Sequence, residues 1–286
     1  MADMQTIQWF PGHMAKTKRK IVESLHLVDA VIEIVDSRIP VSSRNPELAG
    51  IIDKKPHIIL LNKCDLADKE ATKKWSEFYK KIGTPAIVTD SKTGFGINNF
   101  NSAVFNVLSD KLEKFNERGM VGKKLRIMVV GIPNVGKSSF INKLCRGTRA
   151  KVEDRPGVTR GNQWYTVNER IELLDTPGML WPKFEDQIIG EHLAFCGSVK
   201  DDIIDRELLA MRLAELLANK YPELLTSRYK IDDFDCDAYD LLCRIGKARG
   251  MVIRGGEVDT ERAAVMLLDE FRSGKIGKIT IEFPEE

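Results

Sequence analysis

The chain has 286 residues, of which 43% are hydrophobic and 30% are charged, and this balance excludes an intrinsically disordered protein. At roughly 100–200 residues per domain, the length predicts two domains. No apolar run approaches the ~20 residues of a membrane helix, and we see no export signal at the N-terminus. The five cysteines are an odd number without metal-ligand spacing. We therefore expect a cytoplasmic protein that has no contact with a membrane.

The net charge of +2 conceals an uneven distribution. Residues 1–195 carry 30 Lys and Arg against 23 Asp and Glu, whereas residues 196–286 carry 14 against 19. The basic segment permits an RNA partner without requiring one. The basic clusters that would contact RNA, or would simply be solvated surface, are Lys16–Lys20, Arg118–Arg126 and Lys143–Arg155.

The predicted elements of the first 182 residues alternate between helices and strands. Apolar spacing predicts a helix over 14–28, and the run Ala30–Val35 predicts a strand that is buried on both faces. Residues 42–46 read as a loop. Further strands are predicted at His57–Leu61, Pro85–Thr89, Leu125–Val130, Gln163–Val167 and Arg170–Leu174, and further helices at 68–82, at 98–117 and up to about Arg146. This alternation predicts an α/β sheet whose central strands are parallel.

The pattern changes after about Pro182. Helical periodicity is found at 186–199, 205–220, 237–249 and 259–273, and only Lys278–Phe283 looks extended. We therefore predict an α/β domain over 1–182, preceded by a basic N-terminal arm within that range, and a mainly helical domain over 183–286.

The strongest motif begins at Gly131, where the sequence GIPNVGKS matches the phosphate loop GxxxxGK[ST] between a predicted strand and a predicted helix. Glycines let successive backbone N–H groups point at phosphates, and the N-terminus of the following helix adds its dipole. Lys137 would reach the β- and γ-phosphates, and the Ser138 hydroxyl would bind Mg²⁺. The predicted phosphate-binding residues are Asn134, Val135, Gly136, Lys137, Ser138 and Ser139.

Two later segments complete the predicted phosphate site. Asp175 ends a predicted strand and opens the sequence DTPG, where the carboxylate is suited to hold Mg²⁺ and the Gly178 N–H to sense the γ-phosphate. Thr159 lies in a polar loop between the two motifs and is our choice for a further Mg²⁺ ligand. Without the phosphate loop, the DTPG segment would be read equally well as an ordinary turn.

A base-reading motif follows the strand that ends near residue 61. The carboxylate of Asp65 is suited to accept hydrogen bonds from N1–H and the amine of guanine, and adenine presents the wrong pattern. The Lys63 stem would lie over the base, and Asn62 would tie this loop to the phosphate loop. The predicted base-side residues are Asn62, Lys63, Cys64, Asp65 and, from the weaker motif one strand later, Asp90 and Ser91.

Together these motifs resemble those of the translation-factor-related P-loop GTPases, but in a circularly permuted order, because the base motifs precede the phosphate loop. The chain also contains WFPGHM from Trp9, Arg38-Ile39-Pro40, Ser43-Arg44-Asn45-Pro46 and LDTPG from Leu174. With these motifs it resembles the bacterial ribosome biogenesis GTPase A family over nearly its whole length. That resemblance implies a GTP-hydrolysing factor that acts late in maturation of the large ribosomal subunit.

The source of catalysis stays open at this point. Many GTPases orient the attacking water with a glutamine after the switch glycine, but Met179 follows Gly178 here. His13 is the candidate catalytic residue, with packing of the N-terminal segment as its alternative role. Asn134 is a candidate K⁺ ligand, because phosphate loops with asparagine here resemble those of potassium-activated GTPases. A GTP-dependent RNA-binding scaffold with negligible turnover is the competing function, and we expect a monomer away from the ribosome.

Overall fold

The central element of the first unit is a sheet of six strands in the described part of the chain. A computed structural model describes residues 12–52, 54–120, 122–145, 163–181, 184, 186–199 and 204–285, without the side chains of residues 12 and 13. The strands are β1 Ala30–Asp36, β2 His57–Asn62, β3 Ala86–Val88, β4 Leu125–Val130, β5 Gln163–Thr166 and β6 Ile171–Asp175. Their order is β3-β2-β1-β4-β6-β5, and only β5 runs antiparallel to its neighbour.

Helices of the first unit follow the strands as the alternation predicts. They are α1 Gly12–Ser24, α2 Pro46–Ile52, α3 Lys69–Lys81, α4 Phe100–Val107, α5 Ser109–Glu117 and α6 Lys137–Leu144, with 3₁₀ turns at Leu25–Leu27 and Ile97–Asn99. Every residue of β1 is buried, which explains its uninterrupted apolar run. The predicted α/β fold with parallel central strands is confirmed.

The strand order displays the circular permutation directly. The strand before the phosphate loop, β4, lies in the sheet between β1 and β6. The first three strands of the chain, β1, β2 and β3, lie on one side of β4 in the sheet. The strands that follow β4 in sequence, β5 and β6, lie on its other side. The carboxyl ends of the parallel strands meet at one edge of the sheet, where ligands of α/β folds bind. The motifs after β2, β4 and β6 therefore converge although their order along the chain is permuted.

The helix predicted over 98–117 is wrong in one respect, because two helices occupy this range. Leu108 leaves helical geometry with φ −108° and ψ 19°, so it ends α4 and precedes α5. Val104, Leu108 and Phe115 are all buried. The apolar periodicity thus continues across the break and gives no sign of it.

Two helices were absent from the prediction. Helix α2 begins at Asn45-Pro46, a cap residue followed by proline at the first helical position, inside a stretch read as a loop. Helix α9, Pro222–Tyr229, also begins with proline. Both helices are short, so each contains too few apolar residues to show a helical periodicity. The proline at the start of each helix is also common in turns.

The second unit is helical in its described residues. The chain divides into one compact unit of Trp9–Pro182 with Glu282–Glu286 and a second of Lys183–Ile281. The helices of the second unit are α7 Gln187–Phe195, α8 Arg206–Lys220, α9, α10 Ala238–Ala248 and α11 Thr260–Arg272. Aspartate side chains accept a hydrogen bond from the first turn of four of these helices, at Asp186, Asp205, Asp237 and Asp259. Helix α8 packs against α10 and α11.

The segment Lys278–Phe283, which looks extended in the sequence, forms no strand in the described structure. In the second unit, Tyr221 Oη donates to Thr280 O at 2.6 Å, and Lys220 Nζ donates to Ile281 O at 2.7 Å. Side chains thus satisfy backbone groups that a neighbouring strand would otherwise bind. Glu282 already belongs to the first unit, a return of the chain that the division at residue 182 did not anticipate.

None of the described helices is both long enough and apolar enough to cross a membrane.

Candidate functional site

A cavity of about 640 Å³ lies where the loops after β2, β4 and β6 meet. The phosphate loop contributes Asn134 and residues 136–139, and the DTPG segment contributes residues 175–178. Lys63 lines the cavity from the base-side loop, and Gln163 lines it from the start of β5. The structure therefore brings motifs that are about a hundred residues apart into one site, as expected for loops at the carboxyl edge of a sheet.

Gly136 makes the phosphate loop possible. It has φ +100°, a conformation that other residues rarely adopt, and it immediately precedes helix α6. A Cβ atom at this position would lie 2.3 Å from Asn62 Nδ2. Asn134 also has a positive φ, +62°, as asparagine tolerates. The loop thus exposes the N-terminus of α6, where free backbone N–H groups favour an anion.

Lys137 lies at the floor of the phosphate loop. Its ammonium donates to Gly131 O at 3.0 Å and to Ile132 O at 2.7 Å. Burial lowers the pKa of Lys137 to about 8, although the charge of Asp175 opposes this change. A bound phosphate would supply the negative charge that favours the ammonium form, so this lysine is poised to respond to the ligand.

Asp175 has the chemistry expected of a cation ligand. Its Oδ1 atom is buried and has no hydrogen-bond partner among the described residues. Burial raises the pKa of Asp175, and the nearby charge of Lys137 opposes this rise. A buried carboxylate oxygen without a donor is costly unless a cation or water binds it. The exposed hydroxyl of Ser138 lines the same cavity, so the pair fits a hard divalent cation.

Gly178 lies against the phosphate loop with no room for a side chain. A Cβ atom there would be 2.9 Å from the backbone of Pro133 and 3.0 Å from Lys137 Nζ. Thr176, two residues earlier, donates from its hydroxyl to Val129 O at 2.7 Å. Met179, the next residue, is buried. Its side chain is apolar, so it cannot hydrogen-bond a water as a glutamine would.

Asn62 joins the base-side loop to the phosphate loop, as the sequence predicts. Its amide nitrogen donates to Val135 O at 2.7 Å. Its amide oxygen accepts from Ser91 Oγ at 2.7 Å, from Ser91 N at 3.0 Å and from Thr89 Oγ1 at 3.3 Å. The side chain is 2% exposed. One buried amide therefore connects three loops of the site, and Ser91 contributes by positioning this amide.

Asp65 is exposed and is not among the residues that line the cavity, although Lys63 in the same loop is. Partial burial and the neighbouring carboxylate of Asp90 raise its pKa. The carboxylate of Asp90 accepts from Lys92 N at 2.8 Å and also binds Thr93, so it shapes its own loop. Cys64 contributes a backbone N–H to Thr89 O at 3.2 Å. Asp65 is thus the exposed carboxylate of this loop, whereas the carboxylate of Asp90 is buried in its own turn.

Lys63 has a contact that the sequence did not suggest. Its Nζ lies 2.9 Å from Asp36 Oδ2, and Arg38 binds the same carboxylate through two nitrogens at 2.9 and 2.8 Å. Burial alone would raise the pKa of Asp36, but Arg38 and Lys63 hold it well below the usual range. The aspartate at the end of β1 therefore fixes the position of the Lys63 ammonium.

Two predicted residues cannot be placed. Thr159 and the side chain of His13 lie outside the described residues. Gln163 and Asp36 are site neighbours that the sequence analysis missed, and Asn45 was quoted there only within a family motif, without a role at the site. The Asn45-Pro46 pair carries a helix-start signal that could have drawn attention to Asn45.

The sequence model of a family described as 50S ribosome-binding GTPase matches residues 126–236. Over 280 residues the chain is 45% identical to Ribosome biogenesis GTPase A of Bacillus cereus, which covers 98% of this chain and 95% of that protein. A GDP-bound structure of TM YlqF is similar with a TM-score of 0.70 and 30% identity, over 94% of this chain and 100% of that one. A GNP-bound structure of YlqF from T. maritima has a TM-score of 0.65 at 30% identity, over 95% and 99% of the two chains.

The predicted role of the Asp65 carboxylate in selecting guanine can be tested by substitution. Replacing Asp65 by Asn removes an acceptor for the guanine N1–H and amine, so we expect affinity for GDP to fall about 100-fold. The amide that replaces it donates to the extra oxygen of xanthine, so affinity for xanthosine diphosphate should rise. Calorimetric titration with both nucleotides measures this exchange.

Asp68→Asn provides the matched control, because Asp68 caps α3 through one oxygen and asparagine caps equally well. Equal losses of GDP affinity in the Asp65 and Asp68 variants would contradict the assignment of Asp65 to the base.

The lowered pKa of Lys137 generates a pH test. The free protein loses the ammonium as pH rises above about 8, whereas a bound phosphate keeps the lysine protonated. Affinity for GDP should therefore be level below that pH and fall by up to about tenfold per unit above it. The measurement is a GDP titration at several pH values for the wild type and Lys137→Arg, whose guanidinium stays charged throughout. A parallel decline in both proteins would show that another group is responsible.

Proposed function

Because the chain belongs to the ribosome biogenesis GTPase A family, we propose that it acts late in maturation of the large ribosomal subunit and that its GTP cycle controls binding to and release from that subunit. It is a GTPase with a role in ribosome assembly. The convergence of Lys137, Asp175 and Gly178 on one cavity, beside a base-side loop held by Asn62, is the observation that carries the proposal.

Nucleotide binding at this cavity follows from its chemistry. The backbone of the phosphate loop and Lys137 would hold the phosphates, and Asp65 would select guanine. Ser138 and Asp175 would bind Mg²⁺, with Thr159 completing the set. The orphan oxygen of Asp175 supports this assignment, because a cation would satisfy it. The GDP-bound and GNP-bound relatives support a site that accepts both nucleotide states.

Catalysis requires a group other than residue 179, because Met179 is buried and apolar. We assign two candidates. His13 would orient or deprotonate the attacking water, and a K⁺ ion held by Asn134 would neutralise charge that develops on the phosphates. The positive φ of Asn134 and its position on the cavity support the second assignment.

The ribosomal partner is supported by relatives and by charge. The family description names 50S binding, and the relative from Bacillus cereus is named for ribosome biogenesis. Among the basic clusters, Lys124 and Arg126 lie within 3.0 and 3.6 Å of the buried Glu172, and each is 38% exposed. Both remain accessible to RNA phosphates. The protein would act in the cytoplasm and as a monomer away from the ribosome.

The competing function is a GTP-dependent scaffold that binds the ribosome with negligible turnover. Met179 favours this alternative, since it removes the usual water-orienting side chain. The two functions differ in whether the subunit accelerates hydrolysis.

Single-turnover hydrolysis of GTP distinguishes them. The rate is measured alone, with large subunits and with small subunits, in K⁺ and in Na⁺. We expect large subunits in K⁺ to raise the rate at least about tenfold, because an added transition-state charge in other GTPases has far larger effects. Pelleting of the same mixtures should recover more protein with subunits in the GTP state than in the GDP state.

Variants assign the catalytic group in that assay. Asn134→Ala should abolish the advantage of K⁺ over Na⁺, and His13→Ala should slow hydrolysis in both salts. Asn99→Ala is the matched control, since Asn99 is exposed and its side chain caps no helix. If the wild-type protein pellets with the subunits but its hydrolysis rate does not change in their presence, the enzymatic function is contradicted and the scaffold function is supported.

A further inference from the structure

The loop between β1 and α2, residues 37–45, is buried except at Val41 and Arg44, although it is rich in polar residues. Ser37, Ser43 and Asn45 are each no more than 1% exposed. Buried polar groups are retained where they make hydrogen bonds, and the side chains of Ser43 and Asn45 both do so. Asn45 has the partner with the greatest consequence for the site.

Asn45 uses both ends of its amide. Its oxygen accepts from Glu47 N at 2.9 Å and thereby caps helix α2. Its nitrogen donates to Met179 O at 3.0 Å. The cap fixes the orientation of the amide, and the remaining donor is directed at the residue that follows Gly178.

Met179 is therefore held from two sides. Its N–H donates to Gly131 O at 3.3 Å on the phosphate loop, and its carbonyl accepts from Asn45. Gly178 lies between this fixed residue and the loop backbone at Pro133, with Lys137 Nζ adjacent. The position of the Gly178 N–H thus depends on where Asn45 holds the Met179 carbonyl.

The loop that carries Asn45 is itself fixed. Ser43 Oγ donates to Ile39 O at 2.6 Å and accepts from Asp36 N at 3.0 Å. The carboxylate of Glu282 accepts from Val41 N at 2.6 Å and from Ser42 N at 3.0 Å. Asn45 therefore lies in a loop that is held by hydrogen bonds of its own, none of which involves the DTPG segment.

We propose that Asn45 is a positioning residue for GTP hydrolysis, which holds the Met179 carbonyl so that the Gly178 N–H faces the γ-phosphate. The proposal rests on the placement of the γ-phosphate beside Gly178 and is independent of the ribosomal partner. Loss of the Asn45 donor releases the DTPG segment and leaves the phosphate loop and the base-side loop intact. The affinity for GTP should then fall, whereas the affinity for GDP should not change.

Asn45→Ser and Asn45→Asp test this role together. Both residues cap helices well, but serine is too short to reach Met179 and aspartate has no donor. We expect affinity for the non-hydrolysable imido analogue of GTP and the single-turnover rate to fall about tenfold each, as for the loss of one buried hydrogen bond. Affinity for GDP should stay within about twofold of the wild type. Asn99→Ser is the control on an exposed asparagine.

The outcomes separate three situations. Wild-type discrimination between the analogue and GDP in both folded variants would overturn the role of Asn45. Equal losses for the two nucleotides would also overturn it, because they would indicate a general structural effect. A wild-type protein that binds both nucleotides alike would overturn the placement of the γ-phosphate on which the proposal rests.

Discussion

The site depends on one buried amide, that of Asn62, because it connects loops from different parts of the chain. It binds Val135 of the phosphate loop through its nitrogen and Ser91 through its oxygen. Gly136 approaches it so closely that a Cβ atom would collide with it. The geometry of the phosphate loop and that of the base-side loop are therefore coupled, and each requires the other. This coupling makes one nucleotide site from a permuted chain.

The permutation preserves the site because the sheet, and not the order of the chain, positions the loops. Strands β1 and β2 precede β4 in sequence but lie beside it or one strand away in the sheet. A single edge then carries Lys63, Lys137 and Asp175, which all line the same cavity. The loop after β1 adds the support at Asn45 for the segment that follows β6. The loops that follow β1, β2, β4 and β6 thus each contribute residues to the site or to its support.

The features that the sequence predicted correctly are those that depend on short motifs or on the spacing of nearby residues. Gly131–Ser138 has a fixed spacing, and the apolar run of β1 is continuous, so the phosphate loop and the sheet could be foreseen. The contacts of Asn45 and Glu282 could not, because they join residues 134 and more than 200 positions apart. The break at Leu108 was hidden by an unbroken apolar periodicity. Long-range hydrogen bonds between polar side chains and backbone leave no periodic signal.

The central claim is that Asn62 makes the phosphate loop and the base-side loop a single site, and affinity for GDP in Asn62→Ala tests it most directly. The variant leaves the acceptors at Val135 and the donors at Ser91 unpaired, so we predict that affinity falls at least about 100-fold while the helical content seen by circular dichroism is unchanged. The inorganic pyrophosphate affinity should fall together with that for GDP, because the phosphate loop loses its support. Retention of wild-type affinity for GDP in the folded variant would contradict the account.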